Sequence, residues 1–230
     1  MKQIQITPDI VQLTRLGLVN CFLIREDDGL TLVDTMIPGS AKAIVAAANT
    51  LNRSLRRVML THLHGDHVGS LNILASRLIS IEIAVGRRES RFLARDFHLE
   101  PNEAQAKVRG TFPKVEVTPS ALLSDGEVYG SFLVIATPGH TPGHLSFLDT
   151  RSGTLISGDA LTGVGGVRVA GDAPARFPLP NFGTWHRPTA LESARKLLQL
   201  EPKRIVFGHG RPVLENATAV LKEAIRHAER

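Results

Sequence analysis

The sequence predicts an α/β fold of four layers in one domain, and three observations carry that expectation. Short β-like runs crowd the first third of the chain, a second crowd follows Pro119, and helical stretches lie beside both. Neither an internal repeat nor a linker divides residues 1–230. At 230 residues, folding hides roughly 70% of the unfolded surface, enough for a full apolar core.

The elements follow in order. Ile10–Leu13, Cys21–Arg25 and Leu30–Asp34 read as a meander turned at Asp27-Asp28-Gly29. Pro38-Gly39-Ser40 opens an Ala-rich helix that ends near Asn52, and Arg57–Leu60 reads as a short buried strand, which completes a strand, helix, strand unit. His67–Ser80 spaces Val68, Leu71, Leu74 and Leu78 as a helix does, so the His-rich segment before it lies between a strand end and a helix start. The Arg-rich stretch Gly86–Arg109 is expected to be helical, broken at Pro101, and to cap a site or serve as scaffold. Ala121–Leu123, Glu127–Tyr129, Phe132–Ala136, Leu145–Leu148 and Thr154–Ile156 form a second meander. Gly163–Arg187 has no period, and loops of that length are usually functional or disordered. A helix from Pro188 to Leu200, a strand at Arg204–Phe207 and a helix at Glu215–Arg230 complete the chain.

Composition narrows the function classes. With 43% hydrophobic and 21% charged residues the chain is neither disordered, collagen-like nor disulfide-dense. Apolar runs such as Val45–Ala48 and Ile79–Val85 are far below the ~18 residues of a membrane span, and residues 1–6 lack a signal peptide's apolar stretch. A cytoplasmic location without membrane contact is expected. Cys21 has no partner, so any metal must be held by His and carboxylate. The net charge of +5 fits nucleic acid or anionic small molecules equally, while the denser groups Arg53, Arg56, Arg57 and Arg87, Arg88, Arg91, Arg95 read as solvated helix faces.

One segment carries chemistry. Thr61-His62-Leu63-His64-Gly65-Asp66-His67 packs three His and an Asp into six positions. With 9 His in the chain, a chance H-x-H-x-D-H has a probability on the order of 6 × 10⁻⁴. His62 and His64, at alternate positions, can converge on one cation while Asp66 and His67 turn to another. Three further features each put a candidate ligand at a strand end: Thr137-Pro138-Gly139-His140-Thr141-Pro142-Gly143-His144, Ser157-Gly158-Asp159 and Gly208-His209-Gly210.

Together these motifs resemble the metallo-β-lactamase superfamily, from Val33-Asp34-Thr35 to Gly208-His209-Gly210. The resemblance implies an αββα sandwich, two mixed β-sheets flanked by helices. It implies a first metal site of His62, His64 and His144, a second of Asp66, His67 and His209, and a bridging Asp159. Asp34 and His140 are implied as supporting residues outside the ligand set. Two zinc ions are expected, with iron or manganese accepted by the same donors. Such a pair sits roughly 3.5–4 Å apart and ionises a shared water. Asp66 is the expected catalytic residue, orienting that water and passing its proton toward the leaving group.

Departures from known branches prune the substrates. Flavodiiron oxidoreductases usually carry Glu where His64 stands, and zinc β-lactamases carry Cys or Ser where Asp159 stands. Glyoxalase II resembles this chain in TPGHTPGH and GDAL but adds a C-terminal glutathione-binding extension. Acyl-homoserine lactonases place a Tyr where this chain has Thr162, and the lone Tyr129 lies far off in sequence. Ribonuclease Z relatives add elements not found here, which disfavours nucleic acid. The expected function is hydrolysis of a small ester, thioester or lactone; a phosphodiesterase or nuclease, or a mononuclear iron persulfide dioxygenase, are the alternatives. The partner is a small molecule, with an anionic one left open, Arg168 and Arg176 being candidates to meet it. An oligomer is also left open. Phe177, Phe182, Trp185 and His186 are candidate substrate walls, or else a clasp between layers.

Overall fold

The computed structural model describes residues 1–172 and 179–230. One sheet takes β1 (Lys2–Thr7), β2 (Ile10–Arg15), β3 (Val19–Glu26), β4 (Gly29–Val33), β5 (Leu55–Met59), β6 (Glu82–Gly86) and β7 (Ala121–Leu123) in sequence order. Its first four strands are antiparallel, and β4 through β7 run parallel. The crossovers hold α1 (Ala41–Thr50), then α2 (Gly65–Val68) and α3 (Leu71–Arg77), then α4 (Ser90–Leu93) with the irregular segment 94–120. The other large sheet draws on β8 (Val128–Tyr129), β9 (Phe132–Ala136), β10 (Leu145–Asp149) and β11 (Thr154–Ile156), all antiparallel. A two-stranded ribbon, β12 (Leu161–Thr162) with β13 (Arg168–Val169), α5 (Leu179–Gly183) and α6 (Arg187–Leu198) come next. β14 (Arg204–Val206) then adds to this sheet parallel to β11, giving the order β14-β11-β10-β9-β8, and α7 (Ala217–Ala228) follows.

Alternation along the strands builds three cores. Ile10, Phe22, Ile24, Val33 and Met59 face Phe132, Val134, Phe147, Ile156 and Val206 between the sheets. Their neighbours Val11, Leu23, Leu32 and Val58 point the other way, under Ile44, Ala48, Leu71 and Leu74 of α1 and α3. Leu155, Ile205 and Phe207 pack on Ala194, Leu197, Leu221 and Ile225 of α6 and α7. Strands buried on both faces read as near-continuous apolar runs. The result is the expected αββα sandwich of two mixed sheets. Among the described residues no helix is long and apolar enough to cross a membrane.

Several expectations are corrected. β1 and β6 escaped the pattern reading, β1 because Ile4 and Ile6 are its only strongly apolar residues and β6 because its run adjoins the helical stretch before it. The helix expected at His67–Ser80 is split into α2 and α3 at Gly69-Ser70. Gly86–Arg109 is helical only at α4; Arg95 turns at φ 61° and Pro101 lacks a donor, so the chain runs on irregularly. Two of the arginines there are paired, Arg88 with Glu103 and Arg91 with Asp96 and Glu100, while Arg87 and Arg95 are exposed as expected. Arg57 likewise lies on β5 against Asp28 and Glu82. The aperiodic Gly163–Arg187 stretch holds β13 and α5.

Candidate metal centre

Asp34, the His62–His67 motif, the His140 loop, Asp159 and His209 follow β4, β5, β9, β11 and β14 respectively. β9 and β11 are both antiparallel to β10, and β14 is parallel to β11, so the ligand loops of that sheet leave it at one edge. The C-terminal ends of parallel strands are where α/β sheets place ligands.

Donor atoms of His62, His64 and His140 lie within 4.8 Å of one another, as do those of Asp66, His67 and His209, and those of His62, His67 and Asp159. The outward ring nitrogens are fixed by oxygens. His64 Nε2 donates to the Arg109 carbonyl at 2.9 Å, which leaves a lone pair on Nδ1, 3.0 Å from His140 Nε2. His140 Nδ1 lies 3.2 Å from Thr184 Oγ1. His62 Nδ1 lies 3.0 Å from Thr61 Oγ1, and its Nε2 is buried with no hydrogen-bond partner among the described residues. His67 Nδ1 donates to Asp34 Oδ2 at 2.8 Å. Such outer contacts orient metal-binding imidazoles. Converging lone pairs and an orphaned buried nitrogen fit a cation at this place.

The geometry corrects one assignment. His140 joins His62 and His64, and His144 stands behind them. Both His144 nitrogens are engaged: Nδ1 is 2.8 Å from Thr137 Oγ1, and Nε2 accepts the Asp159 amide at 3.0 Å. Motif position could not reveal this, because the two His of TPGHTPGH differ only in which way the turn aims them.

The two groups differ in charge. Burial holds His62, His64 and His140 below the ordinary imidazole value, keeping them neutral donors. Burial likewise pushes His144 down to about 3. At His209 burial opposes the charge, but Asp159 and Asp66 overcome it and raise the ring to about 9. His67 is also raised, by Asp159 and Asp34 against the cost of burial. Burial pushes Asp66 and Asp159 upward, yet their imidazole partners hold both well below the usual carboxylate range. Asp159 Oδ2 sits 3.2 Å from His209 Nε2 and 3.5 Å from His140 Nε2, touching both groups. Ligation of the second group must therefore release protons.

Asp34 takes a left-handed backbone, φ 60°, costly for a residue with a Cβ. Its carboxylate accepts from Thr61 N at 2.9 Å and Thr61 Oγ1 at 2.8 Å as well as from His67, which fixes it there. Gly208 has no room for a side chain: a Cβ would lie 2.3 Å from Asp159 Oδ1.

A cavity of about 400 Å³ opens over the cluster, and Leu18, Val19, Ile37 and Phe182 line it beside His64, Asp66, His140, Asp159 and His209. Phe182, one of the candidate walls, lines this cavity. Trp185 does not; it is buried, and its Nε1 donates to the Ala106 carbonyl at 3.0 Å, a clasp between segments. His186 caps α6 through Thr189 and does not line the cavity. Arg168 bonds the Val167 carbonyl, away from the lining. Phe177 and Arg176 lie outside the described residues.

Two supporting residues carried no sequence signal. Buried Glu89 accepts from Leu63 N at 3.0 Å, Thr141 Oγ1 at 2.9 Å and Gly143 N at 3.1 Å, tying the His62–His64 loop to the His140 loop. Buried Asn20 donates from its side chain to the carbonyls of Phe207 and Gly210, each at 2.9 Å, and so holds the His209 loop against β3.

The family model of the metallo-beta-lactamase superfamily matches residues 14–209. The uncharacterized protein YobT of Bacillus subtilis (strain 168) is 43% identical over 213 residues, 92% of this chain and 91% of that one. Hydroxyacylglutathione hydrolase GloC of Haemophilus influenzae (strain ATCC 51907 / DSM 11121 / KW20 / Rd) is 30% identical over 200 residues, 83% of this chain and 85% of that one. A metallo-beta-lactamase from Pontibacter korlensis shares the fold, with a TM-score of 0.73 at 14% identity over 100% of this chain and 99% of that one. With its sandwich fold and a His/Asp cluster able to bind metal, the chain belongs to the metallo-β-lactamase superfamily.

Proposed function

We propose that this chain is a cytoplasmic, single-domain hydrolase of a small ester, thioester or lactone, working with two zinc ions. The observation that supports this reading most is Asp159 Oδ2, within 3.5 Å of His140 in one donor group and 3.2 Å of His209 in the other, as a shared ligand requires. His62, His64 and His140 would hold one ion and Asp66, His67 and His209 the other. Bound cations supply Lewis-acid polarisation and water of lowered pKa. The rest belongs to the chain itself. Asp66 lines the cavity, so it can orient a water and pass its proton toward the leaving group. Leu18, Val19, Ile37 and Phe182 receive the apolar body of the substrate and exclude bulk water.

The test is a hydrolysis panel on zinc-loaded protein: p-nitrophenyl esters, thioesters, lactones and bis-phosphodiesters. Chelator-sensitive turnover of the first three classes is expected. Turnover confined to phosphodiesters, or persulfide oxidation with about one iron per chain, would overturn the reading.

A further inference from the structure

Two segments far apart in the chain line the cavity over the metal centre, one through Gly110 and Thr111, the other through Phe182 and Gly183. Each holds one imidazole of the first donor group. The Arg109 carbonyl takes His64 Nε2 at 2.9 Å, and Gly110 packs so closely that a Cβ there would lie 2.1 Å from that nitrogen. Thr184 Oγ1 lies 3.2 Å from His140 Nδ1, and the Trp185 amide donates to the His140 carbonyl at 2.9 Å.

Trp185 joins the two segments. While its backbone holds His140, its indole Nε1 donates to the carbonyl of Ala106, just upstream of Arg109, at 3.0 Å. Arg109 and Gly110 are themselves exposed. The carbonyl that meets His64 is therefore placed by anchors on either side: Trp185 at Ala106, and the Gly65 amide, which donates to the Thr111 carbonyl at 2.9 Å. His64 depends on that placement. With its Nε2 proton given to Arg109, the ring keeps a lone pair on Nδ1, 3.0 Å from His140 Nε2, where one cation can take both. Without that acceptor the proton is free to move to Nδ1, and the donor is lost.

We propose that Trp185 is a positioning residue for the metal centre: its indole hydrogen bond fixes the tautomer of His64 and the spacing of His64 to His140. This rests on the reading above of both imidazoles as ligands to one ion.

Trp185 is the only tryptophan of the chain, so tryptophan analogues supplied during expression alter this position alone. Benzothienylalanine keeps the ring size and puts sulfur in place of the indole N–H; azatryptophan keeps the N–H. The experiment reads the His64 tautomer in metal-free protein, by NMR of the imidazole nitrogens, and the zinc affinity of each donor group, by competitive chelator titration. In the wild type and the azatryptophan protein the His64 proton is expected on Nε2. In the benzothienylalanine protein and in Trp185→Phe it should divide between the two nitrogens. Zinc at the His62, His64, His140 group should then bind about tenfold more weakly or worse, while the Asp66, His67, His209 group keeps its affinity. A tautomer or a zinc affinity unchanged by loss of the donor would overturn the proposal. Equal losses at both groups, or a loss in the azatryptophan protein, would overturn it too, since packing alone would explain them. If the wild type binds no zinc at this group while the tautomer still shifts, the hold on His64 stands and the metal assignment falls.

Discussion

Glu89 Oε1 accepts the amide of Leu63, the residue between His62 and His64, at 3.0 Å, while its other oxygen takes Thr141 and Gly143 beside His140. One buried carboxyl therefore sets the spacing of two ligand loops. Removing it strands two buried amides, each worth roughly 1–3 kcal/mol. Glu89→Ala should lower unfolding stability by roughly 2–5 kcal/mol and weaken zinc at the His62, His64, His140 group about 10- to 100-fold. Glu89→Gln, which keeps an acceptor for Leu63, should recover much of both. Competitive chelator titration checks this, and unchanged zinc affinity in Glu89→Ala would show that the loops hold themselves.

Burial also raises the Glu89 carboxyl from 4.5 to about 7, against the pull of its hydrogen bonds from Leu63, Thr141 and Gly143. In the metal-free protein the folded state then binds a proton that the unfolded state has released between those values. Stability contributed by this group is present below pH 4.5 and is lost as pH rises toward 7, by up to roughly 3 kcal/mol. Glu89→Gln cannot titrate. Urea unfolding of both proteins should give a wild-type minus Glu89→Gln stability difference that falls across this window; a constant difference would contradict the shift.

His140 and His144 are told apart by their contacts, since only His140 shares donor space with His62 and His64. His140→Ala should reduce bound zinc from about two per chain toward one. His144→Ala should keep about two while costing roughly 2–4 kcal/mol, because it opens a cavity and orphans the Asp159 amide. Metal analysis with thermal unfolding reads both. The opposite pattern would restore His144 as the ligand.

Asp66 lines the cavity and approaches His209 at 3.2 Å, so it borders both the open space and the second donor group. Asp66→Ala should lower kcat per loaded site by about 100-fold or more, beyond the loss of metal content. Parallel losses would reduce Asp66 to a ligand.

Much of this was legible in the sequence. Strands buried on both faces, such as Leu30–Val33, announce themselves by composition, and His62, His64, Asp66 and His67 by their density. Asp159 and His209 were legible as strand-end residues among glycines, and Asp34 through the family resemblance. Glu89, Asn20 and the aim of His140 against His144 were not. Each depends on hydrogen bonds between segments far apart in the chain, Leu63 with Glu89 or Asn20 with Phe207, which no local period encodes. His186 misled because a helix-capping imidazole and a substrate contact look alike in one dimension.

Anomalous diffraction from crystals grown with zinc tests the metal centre most directly. Two peaks are predicted, one ligated by His62, His64 and His140, the other by Asp66, His67 and His209, with Asp159 between. A single peak, no peak, or ligation through His144 would contradict it.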